Sequence, residues 1–139
     1  LSGFVSGLGA HPRVIDGTAH DRLMAALSHL PQLAASALMR VAGELAGSDG
    51  LELAGAGLFD TTRLAASPPE VWSDVCATNA DHLGPALDEY IAALVSLRSM
   101  LTERRTIDEM FVRAAEWRHR LEQAFASSRG STKPEPGRT

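Results

Sequence analysis

The stretch AHDRLMAALSHLPQLAASALMRVAGELA, Ala19 to Ala46, decides the fold. Leu23, Leu27, Leu30, Ala34, Leu38, Val41 and Leu45 recur at spacings of three and four. That repeat gathers side chains on one face of an α-helix. A helix is therefore expected from about Ala19 to Ala46, with Asp16 or Thr18 as its cap. Pro31 interrupts it. Proline has no amide hydrogen, so the Leu27 carbonyl loses its partner one turn back and the ring pushes the axis into a kink. Gly43, Gly47 and Gly50 end the element.

Upstream, Leu1 to Gly9 reads as a helix end stopped by Gly7 and Gly9. His11 to Asp16 should be short and extended, because Pro12 biases His11 away from helical dihedrals. Downstream, Leu51 to Ser67 carries glycines and little periodicity, and is expected as an irregular connection of the kind that often carries function. Ser67-Pro68-Pro69-Glu70 is a helix start, a cap followed by proline. The short helix after it, to Thr78, has Trp72, Val75 and Cys76 on its apolar side.

Ala80 to Glu103 predicts a long amphipathic helix with Leu83, Leu87, Ile91, Leu94, Leu97 and Leu101 as its stripe. A last helix begins at Thr106 or Asp108, with Ile107, Met110, Phe111, Ala114, Trp117, Leu121 and Phe125 as its buried line. The expected class is all-α: a helical domain over residues 1–127, then a mobile tail over residues 128–139 rich in Ser, Gly, Pro and charge. The two long stripes could pair with each other and with a second copy of the chain, although such stripes more commonly form core.

Of the 139 residues, 45% are hydrophobic and 22% charged, which suits one ordinary domain and argues against wholesale disorder. The net charge of −4 gives no global attraction to nucleic acid or anionic lipid. No apolar run approaches the ~20 residues that span a bilayer. The single Cys76 makes no internal disulfide and fits a reducing compartment, so a cytoplasmic setting is expected. The chain opens without Met and without a basic, apolar leader, and is expected to be a piece of a longer protein.

The candidate chemistry is sparse. Gly3, Gly7 and Gly9 lack the strand–turn–helix setting of a dinucleotide fingerprint. The five histidines have no zinc-type spacing, so no metal site is expected. Cys76 reads as a small hydrophobe on a buried helix face. Ser28, His29 and Gln32 differ, because they crowd one sector of the helix beside Pro31. They could line a cavity or satisfy the freed carbonyl, and spacing alone does not choose. Arg63 lies among Leu58, Phe59, Leu64, Ala65 and Ala66 and needs an anionic partner, either Asp60 or a ligand carboxylate gripped by its two-pronged fork. Trp72 and Asn79 default to packing and capping.

Five blocks occur in a recognisable order and spacing. They are Gly9-Ala10 before an extended stretch ending at Asp16; His20-Asp21-Arg22; Ser28-His29-Leu30-Pro31; Gly57 to Ala65, with Asp60 and Arg63; and Trp72 followed by Asn79. Over roughly Leu1 to Ser127 the chain resembles the C-terminal helical domain of prephenate and arogenate dehydrogenases. The resemblance implies a parent enzyme of tyrosine biosynthesis. Its separate N-terminal Rossmann domain would bind NAD or NADP and carry the catalytic histidine. This domain would supply much of a homodimer interface and one wall of the cleft, and would be catalytically silent alone.

The implied reaction is oxidative decarboxylation of a small dicarboxylate, prephenate or arogenate. Arg63 matches the family's clamp on the ring carboxylate, His29 a residue of the kinked helix facing the cleft, and Trp72 a tryptophan near the substrate. Ser28 and Gln32 join them as substrate-wall residues, whereas His20 and Asp21 look structural. Gln32 departs from the family's pattern, which has a second histidine there tied to tyrosine feedback. A glutamine cannot become cationic, which bears on both feedback and substrate choice. The alternative is a non-enzymatic all-α module for dimerisation or ligand sensing.

Overall fold

The computed structural model describes residues 14–130. The expected helix end at Leu1 to Gly9, most of the extended stretch from His11, and the tail beyond Gly130 lie outside the described residues. Among those described there is no strand, and the class is all-α. In chain order the elements are α1 (Gly17–Met24), a π-helical turn (Ala25–His29), α2 (Leu30–Leu51), α3 (Ala56–Thr61), a 3-10 turn (Arg63–Ala66), α4 (Pro69–Thr78), α5 (Ala80–Met100) and α6 (Arg104–Gly130).

Asp16 caps α1, its carboxylate accepting from the Ala19 amide at 3.1 Å. Such a cap contributes about 1 kcal/mol. Pro31 does disturb the helix, but as a widened turn rather than a sharp kink. The residues before it adopt π-helical bonding, and the Leu30 amide reaches back five residues to the Ala25 carbonyl. Met24 and Leu30 keep right-handed helical dihedrals, so α1, the π turn and α2 form one continuous rod. A π turn admits an extra residue and makes room for a ring that carries no hydrogen-bond donor. The other end is set by Gly47, at φ 66° and ψ 177°, where the helix bends before a final turn to Leu51. Only glycine occupies that region without strain.

The connection from Leu51 to Ser67 is more ordered than its sequence suggests. It holds α3 and the 3-10 turn, both too short to show a periodic pattern. Thr62 joins them: it is buried, and its hydroxyl donates to the Leu58 carbonyl at 2.7 Å. Pro69 opens α4 as expected, but Ser67 does not cap it. The residue at the cap position is Pro68, and the Ser67 hydroxyl turns instead to the Gln32 side chain. α5 ends at Met100, short of Glu103. α6 starts earlier than Thr106 and stays helical to Gly130, three residues into the expected tail.

Contacts divide the chain into two compact units, with the boundary inside α5. In the unit Ile15–Ala93 the buried residues are few: Ala25, Ala35 and Leu83, with the polar Gln32, Thr62 and Asn79. The other unit holds the end of α5 and all of α6. The aliphatic and aromatic stripes expected as core stand largely open. Leu45 is 84% exposed, and in α6 Phe111, Trp117 and Phe125 are 63%, 67% and 64% exposed. The periodicity was that of a buried face, but among the described residues too few elements pack over it. Arg120 lies over the Trp117 ring, 4.8 Å from its centroid, an arrangement that partly shields an open indole.

Candidate functional site

The π turn and the first turn of α2 present Ser28, His29 and Gln32, the cluster expected beside Pro31. Two of the three turn out to be cross-links between distant segments. Gln32 is buried, and both ends of its amide are engaged. Its Nε2 donates to the Leu64 carbonyl at 2.7 Å, and its Oε1 accepts from the Ser67 hydroxyl at 3.3 Å. A buried amide so satisfied fixes the 3-10 turn against α2.

His29 meets Asn79, whose Nδ2 lies 3.2 Å from the His29 Nδ1 and donates to the Asp21 carbonyl at 2.8 Å. The Trp72 ring stands edge-on to the imidazole, with centroids 6.1 Å apart and planes at 76°. α4 therefore holds one side of His29, and the break between α4 and α5 holds the other.

Two concavities flank this arrangement. One, of about 410 Å³, is lined by Gln32, Ser36, Ser67, Trp72, Ser73 and Cys76 among others. The half-buried Cys76 thus borders open space rather than a sealed core. The second, of about 430 Å³, is lined by Met39, Phe59, Thr62, Arg63 and Ala66. Ala65 belongs to both. Gln32 and Trp72 thus share a wall, Arg63 faces the adjoining hollow, and Ser28 and His29 line neither. Arg63 is exposed, and among the described residues it makes no ion pair, with Asp60 or any other carboxylate.

Asn79, Thr62 and Ser67 are the polar residues whose parts sequence reasoning missed. A cap at a helix break and a hydroxyl before two prolines look local on the page. Their side-chain partners lie as far as 58 residues away for Asn79 and 35 for Ser67. His20 and Asp21 pair with each other at 3.0 Å on the surface.

Residues 16–115 match the family described as prephenate dehydrogenase, dimerization domain. A cyclohexadienyl dehydrogenase of Zymomonas mobilis is 36% identical over 100 residues, covering 70% of this chain and 34% of that protein. A prephenate dehydrogenase of Bacillus subtilis is 27% identical over 116 residues, covering 80% of this chain and 30% of that protein. The chain thus spans about a third of the length of the curated relatives it matches. A crystal structure from Corynebacterium glutamicum, assigned as a prephenate dehydrogenase, superposes with a TM-score of 0.68 at 32% identity, over 83% of this chain and 34% of that one. The arogenate dehydrogenase of Synechocystis shares the fold, with a TM-score of 0.63 at 24% identity, over 94% of this chain and 45% of that one. The helical rod widened into a π turn before Pro31, the Arg63 hollow and the open apolar stripes are thus features of a chain that belongs to the prephenate dehydrogenase dimerization-domain family.

Proposed function

We propose that this chain provides the homodimer interface and one wall of the substrate cleft in an NAD(P)-dependent prephenate or arogenate dehydrogenase. Arg63 would receive the ring carboxylate of the dicarboxylate substrate. The observation that carries this reading is the guanidinium itself. It is exposed beside Met39, Phe59 and Ala66, and its neighbour Asp60 does not neutralise it. A guanidinium with no ion-pair partner among the described residues can offer two parallel donors to a planar carboxylate.

In an oxidative decarboxylation the ring carboxylate leaves as carbon dioxide while its bonding electrons complete the aromatic ring. A cation that tightened its hold through that departure would oppose it. Arg63 therefore serves to orient the ring beforehand. Trp72 and Gln32 shape the adjoining hollow, and His29 stands behind Trp72 on the π turn, next to Ser28. Gln32 has both amide ends committed to Leu64 and Ser67, so in this reading it holds the wall together instead of gripping a ligand.

The described residues contain no strand, and hence no glycine turn between a strand and a helix to cradle a dinucleotide. They do not fit NAD(P), and no hydride-transfer step is assigned to them. Among the described residues no helix is long and apolar enough to cross a membrane.

The test is Arg63→Ala in the enzyme that carries this chain. KM for the dicarboxylate should rise by the equivalent of about 2–5 kcal/mol if the pair is desolvated. Unchanged kinetics with both prephenate and arogenate would overturn the assignment and favour a non-enzymatic dimerisation module.

A further inference from the structure

We propose that Asn79 is a positioning residue that holds His29 in the tautomer with its hydrogen on Nε2, so that the imidazole meets a ligand as a donor. The consequence for a ligand rests on the reading of His29 as a substrate-wall residue; the tautomer rests on geometry alone. The Asp21 carbonyl can only accept, so the Asn79 atom 2.8 Å from it is the amide nitrogen. That same nitrogen lies 3.2 Å from the His29 Nδ1. An amide nitrogen has hydrogens to give and no lone pair to offer. Nδ1 must therefore supply the lone pair, and a neutral imidazole then carries its hydrogen on Nε2.

The surroundings keep this arrangement in place. Asn79 is 8% exposed. Its amide donates to the Val75 carbonyl at 3.2 Å, and its own carbonyl accepts from the Leu83 amide at 2.9 Å. The backbone at the α4–α5 break is thus pinned from both sides, and the side chain has little freedom to turn. The Trp72 ring stands edge-on to the imidazole, and a flip of His29 would exchange Nδ1 for a ring carbon and lose the Asn79 bond. The neighbouring Asp21 carboxylate is occupied with His20 and does not compete for the imidazole.

The chemical consequence is specific. With Nδ1 occupied and the hydrogen on Nε2, neutral His29 has no free lone pair to turn toward a ligand. It can donate to a carboxylate or carbonyl oxygen. His29 would therefore bind and orient an anion, leaving proton abstraction to another group.

The experiment is ring nitrogen NMR of the neutral imidazole in the intact chain labelled with ¹⁵N-histidine, with His29 assigned by its disappearance in His29→Gln. The expected result is a pyridine-type shift on Nδ1 and a pyrrole-type shift on Nε2. Asn79→Ala should move both signals toward averaged positions. Asn79→Asp, which sets an acceptor oxygen opposite Nδ1, should shift the hydrogen toward Nδ1. A wild-type spectrum with Nδ1 protonated, or with averaged signals, overturns the proposal, and that measurement needs no variant to fold. An Asn79→Ala spectrum identical to wild type overturns it too. Unchanged KM in His29→Gln would instead overturn the ligand-binding reading of His29 and leave the tautomer result standing, so the two failures are distinguishable.

Discussion

Gln32 donates to the Leu64 carbonyl at 2.7 Å across 32 residues of sequence, and this bond fastens the 3-10 turn bearing Arg63 to the rod bearing His29. The family resemblance read from the sequence implies a histidine at this position. Here a neutral amide spends its donor on Leu64 and its acceptor on Ser67, and acts as a brace.

Gln32→Ala should lower stability by about 1–3 kcal/mol, the usual cost of leaving a buried polar group unmet. Chemical denaturation measures the loss directly. A cost indistinguishable from zero would show that water replaces the brace. Ser67→Ala should cost less, because its 3.3 Å bond to Gln32 is the longer of the two.

At Gly47 the φ of 66° and ψ of 177° put the backbone where a side chain is strained, even though an added Cβ would touch nothing within 4 Å. Gly47→Ala should therefore destabilise by about 1–3 kcal/mol through backbone strain alone. Gly57→Ala, in open space within α3, should be neutral or slightly stabilising by comparison. Thermal melts of the two variants side by side separate strain from packing.

Arg63→Lys should recover little of the affinity lost in Arg63→Ala. An ammonium is a point charge and cannot form two parallel bonds to a planar carboxylate. KM for prephenate and arogenate, compared across wild type and both variants, checks this. Full recovery by lysine would mean that charge alone suffices there.

The α6 face with Trp117, Leu121 and Phe125 carries large apolar side chains that stand open among the described residues. In a dimerization-domain family such a face is expected at the subunit contact. Trp117→Ala should weaken association by about 2 kcal/mol or more, as for an aromatic anchor near the centre of an interface. Phe125→Asp should weaken it further by placing a charge in a desolvated contact. Sedimentation velocity over a concentration series reads the shift to monomer. An unchanged dimer in both variants would place the contact elsewhere.

The sequence by itself determined what depends on near neighbours. The three- and four-residue spacing from Leu23 to Leu45 sets the rod, Asp16 starts it, Pro31 disturbs it and Gly47 bends it. All of these act within about one helical turn, where bonding is fixed by residues four or five apart. Short elements escaped notice because α3 and the 3-10 turn span six and four residues, less than two turns each. The family blocks around His29 and Arg63 were also legible, since they are local strings. Tertiary structure alone decided that Asn79 would reach Asp21 and His29, that Gln32 would brace Leu64, and that Arg63 would face a hollow of its own beside the one lined by Trp72. It also decided that the stripes would stay open. Periodicity says that a face is apolar, but only the packing of distant segments says whether the chain itself covers it.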